Sequence, residues 1–252
     1  METTLHRQLK DEFCDPGAHL EVPLGSYRID VVNGQRLIEI QRSGLAAIRD
    51  KIQKLLTEGH VVDVVKPLVT RKRLVKLNAA EGTVVDRRWS PKRGTILDVF
   101  DELVYFTRVF PHPHLTLITP LIEIEEIRYP GSGRRRRRRE GDFVVQDRQI
   151  LEMGEAPFFR RVQDLQALLP QNLPRKFDTQ QLAEGLEIDR SQAQRIAYVM
   201  RKIGAAKVVE KRGNANVYRL VSRSEADRML AKRKPGKRAR RASAAAIREA
   251  TG

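Results

Sequence analysis

Cysteine is all but absent from the 252 residues: Cys14 stands alone. One thiol excludes an intramolecular disulfide and a cysteine-rich zinc site, and it fits a reducing compartment. Long apolar runs are missing too. No stretch approaches the ~18 residues of a membrane span, and the N-terminus has no apolar signal core, so a cytoplasmic protein is expected. In a prokaryote it would associate with the nucleoid. Acids are scarce beside bases, 32 Asp and Glu against 48 Lys and Arg, for a formal net charge of +16. The 40% apolar content still suffices for packed cores.

The positive charge is unevenly spread. Residues 1–133 hold 19 Lys and Arg against 18 Asp and Glu, whereas residues 134–139 are six consecutive arginines. Residues 158–221 carry 12 basic against 6 acidic side chains, and residues 222–252 carry 10 against 3. One basic run alone reads as a solvated spacer. Three separate basic segments in one chain point to a polyanion, and nucleic acid fits best.

"TTLHRQLKDEF" places Leu5, Leu9 and Phe13 at helical spacing, and "DPG" ends that helix. "HLEVPL", "YRIDVV" and "RLIEIQ" read as a three-strand meander with turns at Gly25-Ser26 and Asn33-Gly34. "GLAAIRDKIQKLLTEG" is an amphipathic helix, and "HVVDVVKPLV" a buried strand parallel to its predecessor. The fold class expected is α/β, a mixed sheet flanked by helices. Residues 70–133 are less regular: two basic stretches, a helix over "ILDVFDELVYFTRVF", and a strand over "LTLITPLIEIEEIRY" interrupted at Pro120. The predicted organisation is a first domain at 1–133 with a basic insertion around 70–93, an Arg-rich linker and hairpin arm at 134–157, a second domain at 158–221, and a disordered basic tail at 222–252.

Acidic residues sit among the Val and Ile of the meander. A turn at 25–26 sets Glu21 opposite Asp30. A turn at 33–34 pairs Asp30 with Leu37 and makes Glu39 its diagonal neighbour, at roughly 7–8 Å. Two carboxylates at that spacing can share a divalent cation. Alternatively, Arg28, which falls opposite Glu39, offsets them on a salt-bridged sheet face.

The order of helix, meander, Asp30, Glu39-Ile40-Gln41, helix and strand resembles the PD-(D/E)xK nuclease superfamily over residues 4–68. "EIQRS" is similar to the ExQxS signature of its competence-protein-like branch, with Gln41 where lysine is usual. The resemblance implies a restriction-endonuclease-like fold and a DNA endonuclease dependent on Mg2+ or Mn2+. Asp30, Glu39 and the Ile40 carbonyl would hold the ion. Gln41 would position water or a phosphate oxygen, and the charge that glutamine lacks would fall to the metal or to Arg42. The first helix of such folds often adds an acid, here Glu12, with Glu21 next; the helix face does not separate Glu12 from Asp11. Ser43 reads as a phosphate contact or, more simply, as a helix cap.

Trp89 lies among Arg88, Lys92 and Arg93 and suits stacking or backbone contact, or packing on the domain edge. His112 and His114 read as loop histidines, and Asp98, Asp101 and Glu102 as a solvated helix face. A long helix from Pro157, a short one capped by Asp178 or Thr179, a third capped by Asp189 or Ser191, and a closing hairpin over 158–221 resemble the winged helix-turn-helix family, an α+β domain. That resemblance assigns Arg190, Ser191, Gln192, Gln194 and Arg195 to the duplex, and Lys211, Arg212 and Asn214 to phosphates or the minor groove. Winged helices also mediate protein contacts.

The reading is therefore a DNA endonuclease acting on double-stranded DNA. Many such nucleases cut both strands as dimers, so a homodimer is among its expectations. The alternatives are a non-catalytic DNA-binding regulator built on the same scaffold and a protein-interaction adaptor.

Overall fold

A computed structural model describes residues 3–131, 142–231 and 237–251. In chain order its elements are α1 (Thr4–Glu12), β1 (His19–Leu24), β2 (Tyr27–Asn33), β3 (Arg36–Ile40), α2 (Arg49–Thr57), β4 (Val61–Val65), β5 (Leu68–Leu77) and β6 (Val84–Trp89). There follow α3 (Val99–Leu103), β7 (Leu115–Ile118), β8 (Leu121–Pro130), β9 (Phe143–Met153), β10 (Phe158–Phe159), α4 (Val162–Gln166), α5 (Thr179–Leu186), α6 (Arg190–Lys202), β11 (Ala206–Arg212), β12 (Ala215–Leu220), α7 (Arg223–Ala231) and α8 (Lys237–Thr251). The six-arginine run lies outside the described residues.

The class is mixed α/β. One sheet has the order β1-β2-β3-β4-β7-β10, antiparallel through β3 and parallel from β3 to β7. The β3–α2–β4 crossover is the parallel connection expected from the sequence. Helices cover both faces. Leu5 and Leu9 of α1 pack with Val31, Ile38, Ile40 and Val65, whereas Ile52, Leu55 and Leu56 of α2 pack with Leu37, Val62 and Val64. Alternate residues of β3 and β4 thus face alternate helices, as the pleat requires.

A second sheet, β6-β5-β8-β9, takes up the stretch that resisted reading. Pro120 does not merely interrupt a strand. It divides β7 of the first sheet from β8 of the second, and β5 and β8 run parallel from Leu68–Leu121 outward. β9 is antiparallel to β8, so the arm expected at 134–157 is the far strand of this sheet. The first unit accordingly runs past 133 to β10, which pairs with β7.

Two further corrections concern the C-terminal half. The long helix expected from Pro157 is instead β10 followed by the short α4. Asp178 and Asp189 cap α5 and α6 through backbone N–H bonds, as their positions suggested. The chain after 222 is not a disordered tail among the described residues. α7 and α8 form, and α8 packs against the first sheet with Ile247 buried and Ala246 and Ala250 beside it. Ser243 of α8 meets His60 at 2.6 Å between Oγ and Nδ1. Its alanines and one isoleucine give α8 an apolar stripe that charge alone concealed.

Truncating the buried Ile247 to alanine is expected to cost about 2 kcal/mol or more, read as a shift in the urea midpoint. No shift would show that α8 is not docked in solution.

Candidate functional site

The register of the meander decides which acids meet. The β2–β3 turn is at Gly34-Gln35, one residue beyond the expected place, with Asn33 paired to Arg36 and Val31 to Ile38. Gly34 takes a φ of 58°, a left-handed conformation that glycine adopts freely. Continued, this register puts Asp30 directly opposite Glu39, not Leu37. Moving the turn by one residue shifts every cross-strand partner by two. The β1–β2 register is as expected, with Val22 facing Ile29 and Leu20 facing Val31, so Glu21 falls at Asp30.

A row of three carboxylates would be repulsive, and the chain disperses it. Glu39 is 5% exposed and pairs with Lys51 of α2, Oε1 to Nζ, at 2.5 Å. Asp30 turns to the other layer. Its Oδ1 lies 3.3 Å from Nε2 of His6 and 3.9 Å from Nζ of Lys10, both on α1. Its Oδ2 accepts the Ile40 N–H at 2.8 Å, in the place where the strand ladder would have continued. Glu21 has a φ of 54°, rare for a side-chain-bearing residue, and its carboxylate reaches Lys10 and Arg28. Arg28 therefore offsets Glu21 and not Glu39.

The expected pair is thus replaced by another set. Ligand atoms of His6, Glu21 and Asp30 lie within 4.8 Å of one another, the one such grouping of three among the described residues. Glu12 is exposed at the end of α1 and is not part of it. The signal on α1 is His6 and Lys10, one turn apart on the face that meets Asp30, and not an acid.

The electrostatics differ sharply between the two acids. Burial works to raise the Asp30 pKa, but the His6 bond, the Ile40 N–H and the charge of Lys10 outweigh it, and Asp30 stays below the usual carboxylate range. Burial lifts Glu39 to about 7, with the charge of Asp30 adding to the rise and Lys51 opposing it.

Around the cluster the surface is concave and basic. A cavity of about 410 Å³ is lined by His6, Lys10, Glu21, Arg28 and Arg42. One of about 270 Å³ adjoins it, bounded by His6, Ile40, Gln41, Arg42, Ser43 and Arg148. Gln41 spends its side-chain N–H groups on Ser43 Oγ at 2.7 Å and Gly44 O at 2.9 Å, bracing the loop. Lys66 fastens the same loop through the carbonyls of Arg42 and Ser43. Ser43 caps no helix: the Leu45 N–H goes to Glu102, which also pairs with Lys66. A depression of about 450 Å³ lies elsewhere, between Gln166 and Arg219, and gathers no comparable set of titratable groups.

The remaining sequence candidates scatter. Arg88 pairs with Asp86 on the exposed β6, and Arg71 lies over the Trp89 ring at 4.1 Å. Lys92 and Arg93 are exposed in the loop after β6. Asp101 is exposed on α3, as expected of a solvated face, and holds Arg195 of α6 at 2.5 Å. Ser191 and the Gln192 N–H are bound to Asp189, while Arg190 and Gln194 are exposed. Lys211, Arg212 and Asn214 are exposed at the β11–β12 tip, with Arg212 on Glu210. His112 and His114 sit in the turn before β7, rings edge to face.

Glu39 generates a pH test. Between pH 4.5 and about 7 the fold holds a proton that the unfolded chain has released, so this acid's contribution to stability falls as pH rises through that window. The urea midpoint of the native chain should drop from pH 5 to pH 7.5 relative to Glu39→Gln; a constant difference would contradict the burial argument.

Among the described residues, no helix is long and apolar enough to cross a membrane. An uncharacterized protein of Treponema pallidum (strain Nichols) is 33% identical over 220 residues, covering 86% of this chain and 85% of that one. No solved structure matches. Residues 3–160, α1 through β10, match the family model described as "Domain of unknown function (DUF8091)". The chain belongs to that DUF8091 family.

Proposed function

We propose that this chain is a cytoplasmic, metal-dependent DNA endonuclease, with a restriction-endonuclease-like first unit and a winged helix-turn-helix following it. The observation that carries the reading is the convergence of His6, Glu21 and Asp30 at the edge of a basic concavity. Two carboxylates supply the oxygen ligands that Mn2+ and Mg2+ favour, and the softer Mn2+ takes the imidazole more readily, so we assign Mn2+ or Mg2+ to them in place of the Asp30, Glu39 and Ile40 set. Such an ion polarises a phosphate and acidifies a bound water.

The chain's own residues do the rest. Ile40 holds the Asp30 carboxylate in place through its N–H. Lys10 offsets the two acids and supplies, beside Asp30, the positive charge that Gln41 lacks. Gln41 shapes the 41–44 loop that presents Arg42. The three helices, the β11–β12 hairpin and the bonds between Phe177 and Tyr218 support the winged-helix reading. Arg190 and Gln194 suit base edges there. Arg195 belongs to Asp101, which suits it to tying the two units together.

A second reading has one observation in its favour. Glu39 is sealed against Lys51, as in a scaffold that has lost its chemistry, and a DNA-binding regulator would need no more.

Cleavage of supercoiled plasmid separates them. Asp30→Asn should abolish Mg2+-dependent cutting while DNA affinity is retained. His6→Ala should slow it by more than the roughly 10–100-fold typical of an outer-shell loss. If native protein shifts DNA on a gel but leaves plasmid uncut with either ion, the regulator reading stands.

A further inference from the structure

The second sheet brings two cations to the site that neither resemblance assigns. Glu126 of β8 is 3% exposed, yet it carries Lys72 of β5 at 3.1 Å and Arg148 of β9 at 2.8 Å, both on Oε2. Those side chains keep 32% and 39% of their surface in solvent. Arg148 lines the cavity that holds His6, Ile40 and Arg42. Lys72 lines a third cavity of about 380 Å³, with Arg42, Lys66, Ser90 and Lys92. Arg42 borders all three cavities, and Lys72 and Arg148, held on one Glu126 oxygen, line the third and the second, so the cavities adjoin along a wall with a groove past His6; Asp98, Asp101 and Glu102 also line the third.

The chemistry of that wall is specific. One carboxylate against two cations leaves a surplus positive charge. Arg148 commits its Nε–H to Glu126, and a guanidinium has four more N–H donors to offer. Burial tends to raise the Glu126 pKa, but the bonds from Arg148 and Lys72 more than reverse it, so the acid stays ionised and the clamp stays closed at neutral pH. A buried acid gripping two exposed cations returns little stability, because desolvation cancels most of its Coulomb gain. It does fix where those cations stand.

We propose that Lys72 and Arg148, positioned by Glu126, bind the phosphodiester backbone of the nucleic-acid strand that runs through the groove to His6 and Asp30. This rests on the hydrolytic reading for its substrate class but not for its test. Binding is measured in EDTA, where nothing is cut, by fluorescence anisotropy of a labelled DNA duplex over a range of KCl.

Each phosphate contact contributes about 0.9 to the slope of log K against log salt, so Lys72→Ala with Arg148→Ala should flatten the slope by about 2. An unchanged slope overturns the proposal. Glu126→Gln gives a test of opposite sign. Deleting a negative charge strengthens polyanion binding if the residue acts only through its field. Loss of positioning weakens binding, and that is the expected result; stronger or unaltered binding overturns the positioning role. Should Glu126→Gln fail to fold, the two partly exposed cations decide the matter. If native protein cuts nothing, the hydrolytic reading falls while the slope still judges the groove. A parallel RNA duplex of the same sequence assigns the preferred strand chemistry.

Discussion

The Asp30 carboxylate occupies the point where β2 and β3 part company. One oxygen replaces backbone at the Ile40 N–H, and the other faces α1. An unpaired N–H there would cost on the order of 1–3 kcal/mol, so the strand pair can open at this position only because a side chain closes the gap. That opening turns Asp30 away from Glu39 and toward His6 and Lys10. The left-handed backbone of Glu21 makes the matching adjustment on β1. Backbone strain of this kind gathers at sites that use it.

Two acids that start on one row therefore reach different layers with different chemistry. Glu39 is buried with a lysine and holds its proton up to about pH 7. Asp30, with a histidine, a lysine and a backbone N–H around it, is ionised throughout the physiological range. Only the second is held ionised across neutral pH. The same logic recurs on the second sheet, where Glu125 and Glu126 point to opposite faces. Glu125 gathers Arg73 and Gln149, and Glu126 gathers Lys72 and Arg148. Apolar Ile122 and Ile124 pack this sheet into the cluster beneath α1, and its charged continuation forms the groove wall.

Local patterns were legible where one short-range rule sufficed. Apolar spacing marked α1 and α2, the Gly25-Ser26 turn set the first register, and Asp178 and Asp189 announced their helices. The second register was missed because Asn-Gly is a strong turn signal, yet here its glycine opens the turn instead of closing it. α8 was missed because its lysines and arginines obscure an alanine stripe. The ligand set was missed because it depends on a strand opening that no periodicity encodes. Pairings such as Glu102 with Leu45 and Asp101 with Arg195 join residues 57 and 94 positions apart, beyond any local reading.

The central claim is that His6, Glu21 and Asp30 form one cation site. Electron spin-echo measurements on the protein with one equivalent of Mn2+ test it directly. The account predicts nitrogen modulation from a coordinated imidazole, lost in His6→Gln and retained in Glu39→Gln. A signal from hexa-aqua Mn2+ alone, or nitrogen coupling that survives His6→Gln, would contradict it.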